Sequence, residues 1–434
     1  MQYQEFLDLI FQRYSANVKL ELDRMRGLLK ELGQPQDALR GFHIAGTNGK
    51  GSVCATLEAL CLAHGLSTGL NTSPHLIDYT ERFRLRGYEV DFQRILGLFE
   101  RHQPAFERWE ASFFEISTAI AFLLLREEAV HTAVIEVGLG GRLDATNLFQ
   151  PDVAAITTIG LDHVKTLGGT LELIAAEKAG ILKPGIPVVL GRIEPGPLRV
   201  ILDKARAVGA PVMQLGKDFK VRITGRSVKG LRFDYAFGRH RYKGLRSNLL
   251  GEHQAANLAV ALTCFFIYMK IRGLKADPAK LRRGLTRVNW SGRMQVLSER
   301  PAIILDGAHN VQGVEALLRT LRRLWPRRRF RFLVSILADK NYAEMLRLFC
   351  SQAERIYVAQ NASDRAATLE QQLAEIDKWE VPACGAEAVG AAFRQALTEL
   401  GADDILICGG SLYTVGEVLQ AWKQGQSILT NPKV

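Results

Sequence analysis

The stretch Phe42-His43-Ile44-Ala45-Gly46-Thr47-Asn48-Gly49-Lys50-Gly51-Ser52 constrains this chain more than any other. A short apolar run enters a glycine-rich turn that holds one lysine and then a serine. Val53 to Ala63 follows with helical spacing and no proline. That order reads as strand, loop and helix. Glycines let backbone N–H groups approach an anion closely, and the helix N-terminus adds partial positive charge. Lys50 is placed to cover outer phosphates, and Ser52 to help bind phosphate or a metal ion. The strict phosphate-loop spacing is not met. Gly46 lies four residues before Lys50 instead of six, and Gly51 separates the lysine from the serine. An ordinary glycine-rich turn between strand and helix is the competing reading.

At 434 residues the chain exceeds what one core usually supports, so two domains are expected. A hydrophobic share of 47% with 23% charged residues is that of an ordinary globular protein. The longest apolar runs reach about half the length that spans a bilayer. No secretory h-region is visible in Met1 to Leu20, where Glu5, Asp8 and Arg13 are scattered. The six cysteines form no C-x-x-C pair and read as buried thiols of a reducing cytoplasm. The net charge of +11 suits an enzyme whose substrates are anions. Its densest cluster is Arg322, Arg323, Arg327, Arg328, Arg329 and Arg331. No aromatic residues interleave it as a nucleic-acid motif would, so it reads as a solvated helix end.

Along the chain, residues 1 to 32 read as helical, and Gly33 stops the run. Ser67 to Asn71 reads as a second strand, leading into Thr72-Ser73-Pro74-His75-Leu76. In an open parallel sheet the carboxyl ends of strands are where ligands bind, which places Ser73 near the loop. Glu89 to Arg108 is expected to be helical. Ser112-Phe113-Phe114-Glu115 carries a capping-box pattern, so Glu115 has a structural explanation. Phe113 and Phe114 read either as core or as a wall for a flat aromatic ligand. Thr132 to Val137 is an apolar strand carrying Glu136 near its carboxyl end, and Gly138 to Asn147 follows as a glycine-rich loop. A carboxylate there needs a partner, either a basic neighbour or Mg²⁺, which accepts one or two carboxylates plus phosphates. His163 ends the next strand in the same position. Lys178 sits in an apolar helical setting that favours its neutral amine. Phe219 to Tyr242 reads as short antiparallel strands. Asn257 is polar on an apolar helix and needs a partner. Trp290 to Arg293 breaks the pattern and is the candidate hinge, beyond which a fresh strand–helix rhythm starts.

Nine motifs stand in order: GTNGKGS (46–52), TSPHL (72–76), SFFE (112–115), EVGLGGRLDATN (136–147), GLDH (160–163), EKAGILK (177–183), HQAAN (253–257), SGRMQ (291–295) and DGAHN (306–310). Together they resemble folylpolyglutamate synthase and dihydrofolate synthase of the Mur ligase superfamily, over nearly the whole chain. The extra glycine of the loop is a trait of that family. The resemblance implies an α/β fold: a P-loop-containing, mostly parallel sheet with helices on both faces over 1–290, and a smaller Rossmann-like domain over 291–434.

It further implies an ATP-dependent amide ligase that adds L-glutamate to dihydropteroate, to a reduced folate or to both, through an acyl phosphate. A Mur-type ligase acting on a different acid, such as a peptidoglycan precursor, is the alternative. ATP would lie on Asn48, Gly49, Lys50, Gly51 and Ser52, with Asn257, Arg293, Asp306 and His309 also contacting it. Ser73 and Glu136 match ligands of one Mg²⁺ and His163 of a second. Lys178 matches a lysine that the family carbamylates into a metal ligand. Lys50, Lys178, His163 and Arg293 are thus the expected catalytic set. The pterin would meet Phe113, Phe114, Leu143, Asp144 and Ala145. The region Asn17 to Leu20 would also contribute, where Lys19 replaces an acidic residue of some bifunctional members. A cytoplasmic monomer is implied, with no nucleic-acid or membrane partner.

Overall fold

The computed structural model describes residues 1–16 and 21–430. The expectations for Asn17 to Leu20, Lys19 among them, lie outside the described residues. Residue contacts divide the chain into two compact units. One comprises 1–222, 233–247 and 254–289. The other comprises 223–232, 248–253 and 290–434.

The first unit is built on an eight-stranded sheet. Its strands are β1 (Gly41–Ala45), β2 (Thr68–Asn71), β3 (Phe83–Leu85), β4 (Tyr88–Glu89), β5 (Thr132–Glu136), β6 (Val153–Ile156), β7 (Val188–Leu190) and β8 (Val212–Gln214), in the order β4-β3-β2-β5-β1-β6-β7-β8. The six strands from β2 to β8 in that order are parallel. Only the β2–β3 and β3–β4 pairs, at one edge, are antiparallel. All five residues of β1 and of β5 are buried, as continuous apolar strands of a sheet covered on both faces should be. Ala133 and Ile135 join one core with the helices Tyr3–Ala16, Asp23–Glu31, Phe92–Arg108 and Phe113–Glu127. Ala154 and Ile156 join another with the helices Leu171–Ala179 and Pro195–Ala207.

Parallel pairing fixes where the loops lie. Asn71 is level with Ile135, Ile44 with Glu136, and Ala45 with Ile156. The segments starting at Gly46, Thr72, Val137 and Thr157 therefore leave the sheet at one edge. The loop after β1 sits at the centre of that edge, between the ends of β5 and β6.

A three-stranded sheet follows, of β9 (Phe219–Ser227), β10 (Gly230–Phe237) and β11 (His240–Ser247), with β10 central. Two-residue links make these strands antiparallel. The helix Glu252–Ile271 comes next. It is long and apolar enough to cross a membrane by length and composition, beyond what the apolar runs suggest, yet it is mostly buried within the protein. That is the pattern of a core helix.

The second unit holds β12 (Gln295–Glu299), β13 (Ala302–Asp306), β14 (Phe330–Val334), β15 (Ala353–Ala359), β16 (Ala383–Ala386) and β17 (Ile405–Gly409), in the order β12-β13-β17-β14-β15-β16. All but β12 run parallel. Its core gathers Ile304, Leu317, Phe332, Val334, Phe349 and Ile407. The helix expected over residues 89–108 starts at Phe92, capped by Asp91, whose carboxylate accepts from the Gln93 N–H at 2.8 Å. All six cysteines are free, and only Cys384 is less than fully buried.

Candidate active site

Two glycines give the loop after β1 its shape. Gly46 has φ +145° and Gly49 has φ +92°, conformations that favour glycine. A Cβ on Gly46 would sit 1.9 Å from Thr157 Oγ1, and one on Gly49 2.4 Å from Asn257 Oδ1. The loop is thus wedged between the end of β6 and the helix Glu252–Ile271. Asn257, buried, gives an N–H to Gln254 Oε1 at 2.9 Å and turns its own oxygen towards Gly49. The helix Lys50–Ala63 starts directly behind the loop, and its ladder begins with the Val53 N–H on Gly49 O at 3.0 Å. The N–H groups of Lys50, Gly51 and Ser52 therefore have no helical acceptor. Lys50 Nζ folds back over the loop and donates to Gly46 O at 3.0 Å and Thr47 O at 3.3 Å. The backbone of Asn48 points elsewhere: its N–H donates to Thr158 Oγ1 at 3.0 Å.

Beside the loop, Glu136 ends β5 and is buried, and its Oε2 accepts the Ser73 N–H at 3.1 Å. Cys54, on the first turn of the helix, feels this carboxylate. Burial raises its thiol pKa first, and Glu136 raises it further. Among the described residues no three His, Cys, Asp or Glu side chains cluster as a metal cage. Glu136 and the Ser73 hydroxyl are hard oxygen donors, an incomplete set that suits Mg²⁺, which completes its shell with phosphate oxygens and water. His163 has φ +51° and a half-exposed imidazole, with Nε2 3.9 Å from Asp162 Oδ1. The same Asp162 oxygen accepts the His163 backbone N–H at 2.8 Å.

Lys178 lies in the last turn of the helix Leu171–Ala179 and is 5% exposed. Burial, and then the Lys50 charge, push its pKa down to about 7, against the opposing pull of Asp162, Asp144 and Glu177. Glycine explains how this helix reaches the loop after β5. A Cβ on Gly141 would lie 2.8 Å from Glu177 O, and one on Gly180 2.3 Å from Arg142 Cβ. Arg142 then pairs with Glu177 at 2.7 Å. The glycines of GLGGR and EKAG interlock two backbones.

The residues expected to meet the pterin divide. Phe113 is buried and stacks on Phe11 at 4.8 Å, with the Arg82 guanidinium 5.0 Å above its ring. Phe114 is half-buried and lies against Gly138, at the end of β5. Leu143 is half-buried and Ala145 buried. Asp144 is buried and works as a cap, accepting from the N–H groups of Leu139 at 2.8 Å and Thr146 at 3.0 Å and from the Thr146 hydroxyl. Glu115 forms the expected capping box with Ser112 and adds an ion pair to Arg24 at 2.7 Å.

In the second unit, Asp306 ends β13 and is buried. Its carboxylate accepts from the Met294 and Ala308 N–H groups, both at 2.9 Å. Burial raises its pKa, and the Arg293 charge opposes that rise. The Gly307 N–H closes the loop onto Gly292 O at 2.8 Å. His309 Nδ1 is 2.8 Å from Gly307 O. Arg293, Asp306 and His309 are thus brought together at the end of one strand. The arginine cluster is largely structural. Arg331 pairs with Asp404 at 3.1 Å and Glu354 at 3.3 Å, Arg329 donates to Ala353 O, and Arg328 to Asp403 O.

Sequence reasoning missed Thr47, Thr157 and Thr158, which bind the loop to the end of β6. The available signal was two adjacent threonines at a strand's carboxyl end.

A family model for the Mur ligase middle domain matches residues 44–265, and one for the Mur ligase glutamate ligase domain matches 292–412. The chain is 33% identical to the dihydrofolate synthase/folylpolyglutamate synthase of Bacillus subtilis, covering 97% of this chain and 99% of that one. It is 32% identical to the folylpolyglutamate synthase of Lacticaseibacillus casei, covering 93% and 95%. Among solved structures, Mycobacterium tuberculosis folylpolyglutamate synthase complexed with ADP superposes with a TM-score of 0.91 at 30% identity, over 96% and 97% of the chains. Escherichia coli FolC in complex with DHPP and ADP gives 0.88 at 30% identity, over 98% and 99%. A bifunctional folylpolyglutamate synthase/dihydrofolate synthase with Mn, AMPPNP and L-glutamate bound gives 0.87 at 32% identity, over 98% of each chain. The order of motifs, the two-unit architecture and these likenesses agree, and the chain belongs to the folylpolyglutamate synthase/dihydrofolate synthase family of Mur ligases.

Proposed function

We propose that this chain is an ADP-forming ligase that joins L-glutamate to the carboxyl group of dihydropteroate, of a reduced folate, or of both. The observation that carries the reading is the single sheet edge where the Lys50 loop and the Ser73–Glu136 pair meet, in a chain similar over nearly its whole length to such synthases. A pterin carboxylate oxygen attacks the γ-phosphorus of ATP, ADP leaves, and an acyl phosphate forms. The glutamate amine then attacks the acyl carbon, and phosphate leaves. In the first step negative charge gathers on the transferring phosphoryl group. The N–H groups at the start of the helix Lys50–Ala63 hold the phosphates, and the Lys50 ammonium swings from the loop carbonyls to the outer phosphates. Mg²⁺ held by Glu136 and Ser73 would supply further charge neutralisation at that centre.

The remaining assignments rest on the resemblance and on placement. His163, and Lys178 as a carbamate, serve a second metal position. Asn257 contacts the nucleotide from the first domain (1–290), and Arg293, Asp306 and His309 contact it from the second (291–434). Phe114, Leu143 and Ala145 line the pterin wall, with Phe113 and Asp144 supporting it from beneath. Six free thiols support a reducing compartment such as the cytoplasm.

The test is a paired assay. Purified protein with Mg-ATP and L-glutamate releases phosphate when dihydropteroate or tetrahydrofolate is added, each run separately. The relative rates decide between one activity and two. Phosphate release that never depends on a pterin acid would overturn the reading.

A further inference from the structure

Hydrogen bonds from the β6 end fix the phosphate loop from outside. Two N–H groups of the loop are consumed there: Thr47 N–H donates to Thr158 O at 2.8 Å, and Asn48 N–H to Thr158 Oγ1 at 3.0 Å. Asn48 O accepts from Thr157 Oγ1 at 2.6 Å and from Thr158 Oγ1 at 3.1 Å. The Thr47 hydroxyl completes the arrangement, donating to Gly160 O at 3.1 Å and accepting the Gly160 N–H at 3.0 Å. Nine polar groups of a loop and a strand end, more than a hundred residues apart in sequence, satisfy one another. The close fit of Gly46 against Thr157 leaves no space for the loop to shift towards β6.

From this geometry we propose that Thr158, with Thr47 and Thr157 beside it, is a positioning residue. It selects which N–H groups of the loop face the nucleotide and holds them in register with the Gly160–His163 segment. This rests on the reading of the loop as a nucleotide site. With Thr47 and Asn48 tied to β6, the N–H groups left for phosphate are those at the start of the helix, from Gly49 to Ser52. Those groups point along the helix axis, where the partial positive charge of the N-terminus lies. A loop free to turn the Asn48 N–H inwards would offer a different cradle. It would also uncouple from His163, which follows Gly160 by three residues. The pair of threonines thus converts a glycine-rich loop, soft by composition, into a rigid one.

Thr158→Val keeps the side-chain shape and removes the hydroxyl. Thr158→Ser keeps the hydroxyl. Dissociation constants for ADP, with and without Mg²⁺, are measured by calorimetry beside melting temperatures and kcat. Losing the acceptor leaves the Asn48 N–H unsatisfied, so Thr158→Val binds Mg-ADP about 10-fold more weakly or worse, and Thr158→Ser recovers binding to within about 3-fold of wild type. Thr47→Val, which breaks only the Gly160 half, gives a smaller loss of affinity and serves as the probe should Thr158→Val not fold. A Thr158→Val or Thr47→Val protein that melts lower but binds Mg-ADP as wild type does would overturn the proposal, leaving the threonines with a packing role alone. Wild-type protein that binds no ADP would overturn the nucleotide reading itself, and the strap with it.

Discussion

A lysine with a pKa of about 7 is half neutral at neutral pH, and a neutral amine is the form that adds CO₂. Lys178 reaches that state because it is buried and because Lys50 lies close enough to repel its charge. Carbamylation would turn an unwanted buried cation into an anion facing Lys50. If Lys178 is a carbamate, protein equilibrated with [¹³C]bicarbonate at about pH 8 shows a carbamate resonance that fades below about pH 6 and is missing from Lys178→Met. Identical spectra for the two proteins would remove the assignment. At this scale the sequence was informative wherever the cause was local. The Ser112–Glu115 capping box is three residues wide, and the structure forms it as the spacing implies. Lys178 was legible as a perturbed amine because its apolar helix lies in the sequence beside it. Thr158 was not, because its partner is Asn48, and a hydrogen bond across such a separation leaves no periodic trace. Asp144 carries a contact that its motif does not announce. The resemblance marks it for the pterin, and its carboxylate also accepts backbone N–H groups of its own loop.

Among elements, β1 shows how burial on both faces shapes chemistry as well as packing. His43 lies in the middle of this strand, fully buried, with Nε2 2.9 Å from Thr146 Oγ1. Burial, and then the Lys183 charge, hold its pKa down at about 3. In the unfolded chain the same imidazole titrates near its ordinary value of about 6.5. Between those values the unfolded state binds a proton that the folded state refuses. Stability therefore falls as pH drops from about 6.5 towards 3, by about 1.4 kcal/mol for each pH unit crossed. His43→Gln keeps a hydrogen-bonding group for Thr146 and cannot take up that proton. Its stability relative to wild type should improve by about 2–3 kcal/mol between pH 7 and pH 4.5, read from urea midpoints. Parallel stability curves for the two proteins over that range would show that His43 carries no acid penalty. Long elements with clear periodicity, such as the helices Phe92–Arg108 and Glu252–Ile271, were legible in the sequence. Some of the short ones were not. β3 spans three residues and β4 two, and β16 reads Ala-Cys-Gly-Ala, without the β-branched residues that mark strands. These strands, at or next to a sheet edge, exist because neighbouring strands supply their hydrogen bonds, which is a property of the sheet.

For the whole molecule, two units with separate cores mean that unfolding need not be a single transition. That separation can be used to test the nucleotide site. The Lys50 loop belongs to the first unit, and Arg293, Asp306 and His309 belong to the second. A ligand that binds only folded protein stabilises what it touches, by about 2.7 kcal/mol at a hundredfold excess over its dissociation constant. For a unit of this size that corresponds to a rise in melting temperature of roughly 5–10 °C. Mg-ADP should therefore raise the transition of the first unit by that amount in a calorimetric scan. Lys50→Ala should abolish the shift while leaving the ligand-free melt unchanged, since Lys50 satisfies only loop carbonyls and lies outside the cores. If Arg293, Asp306 and His309 also hold the nucleotide, the second transition rises too, and Arg293→Ala returns it to its ligand-free position without lowering the first as far. A second transition indifferent to Mg-ADP would withdraw the nucleotide roles of those three residues and confine the site to the first unit. No shift in either transition with wild-type protein would mean that the loop from Gly46 to Ser52 is only a tight glycine-rich turn.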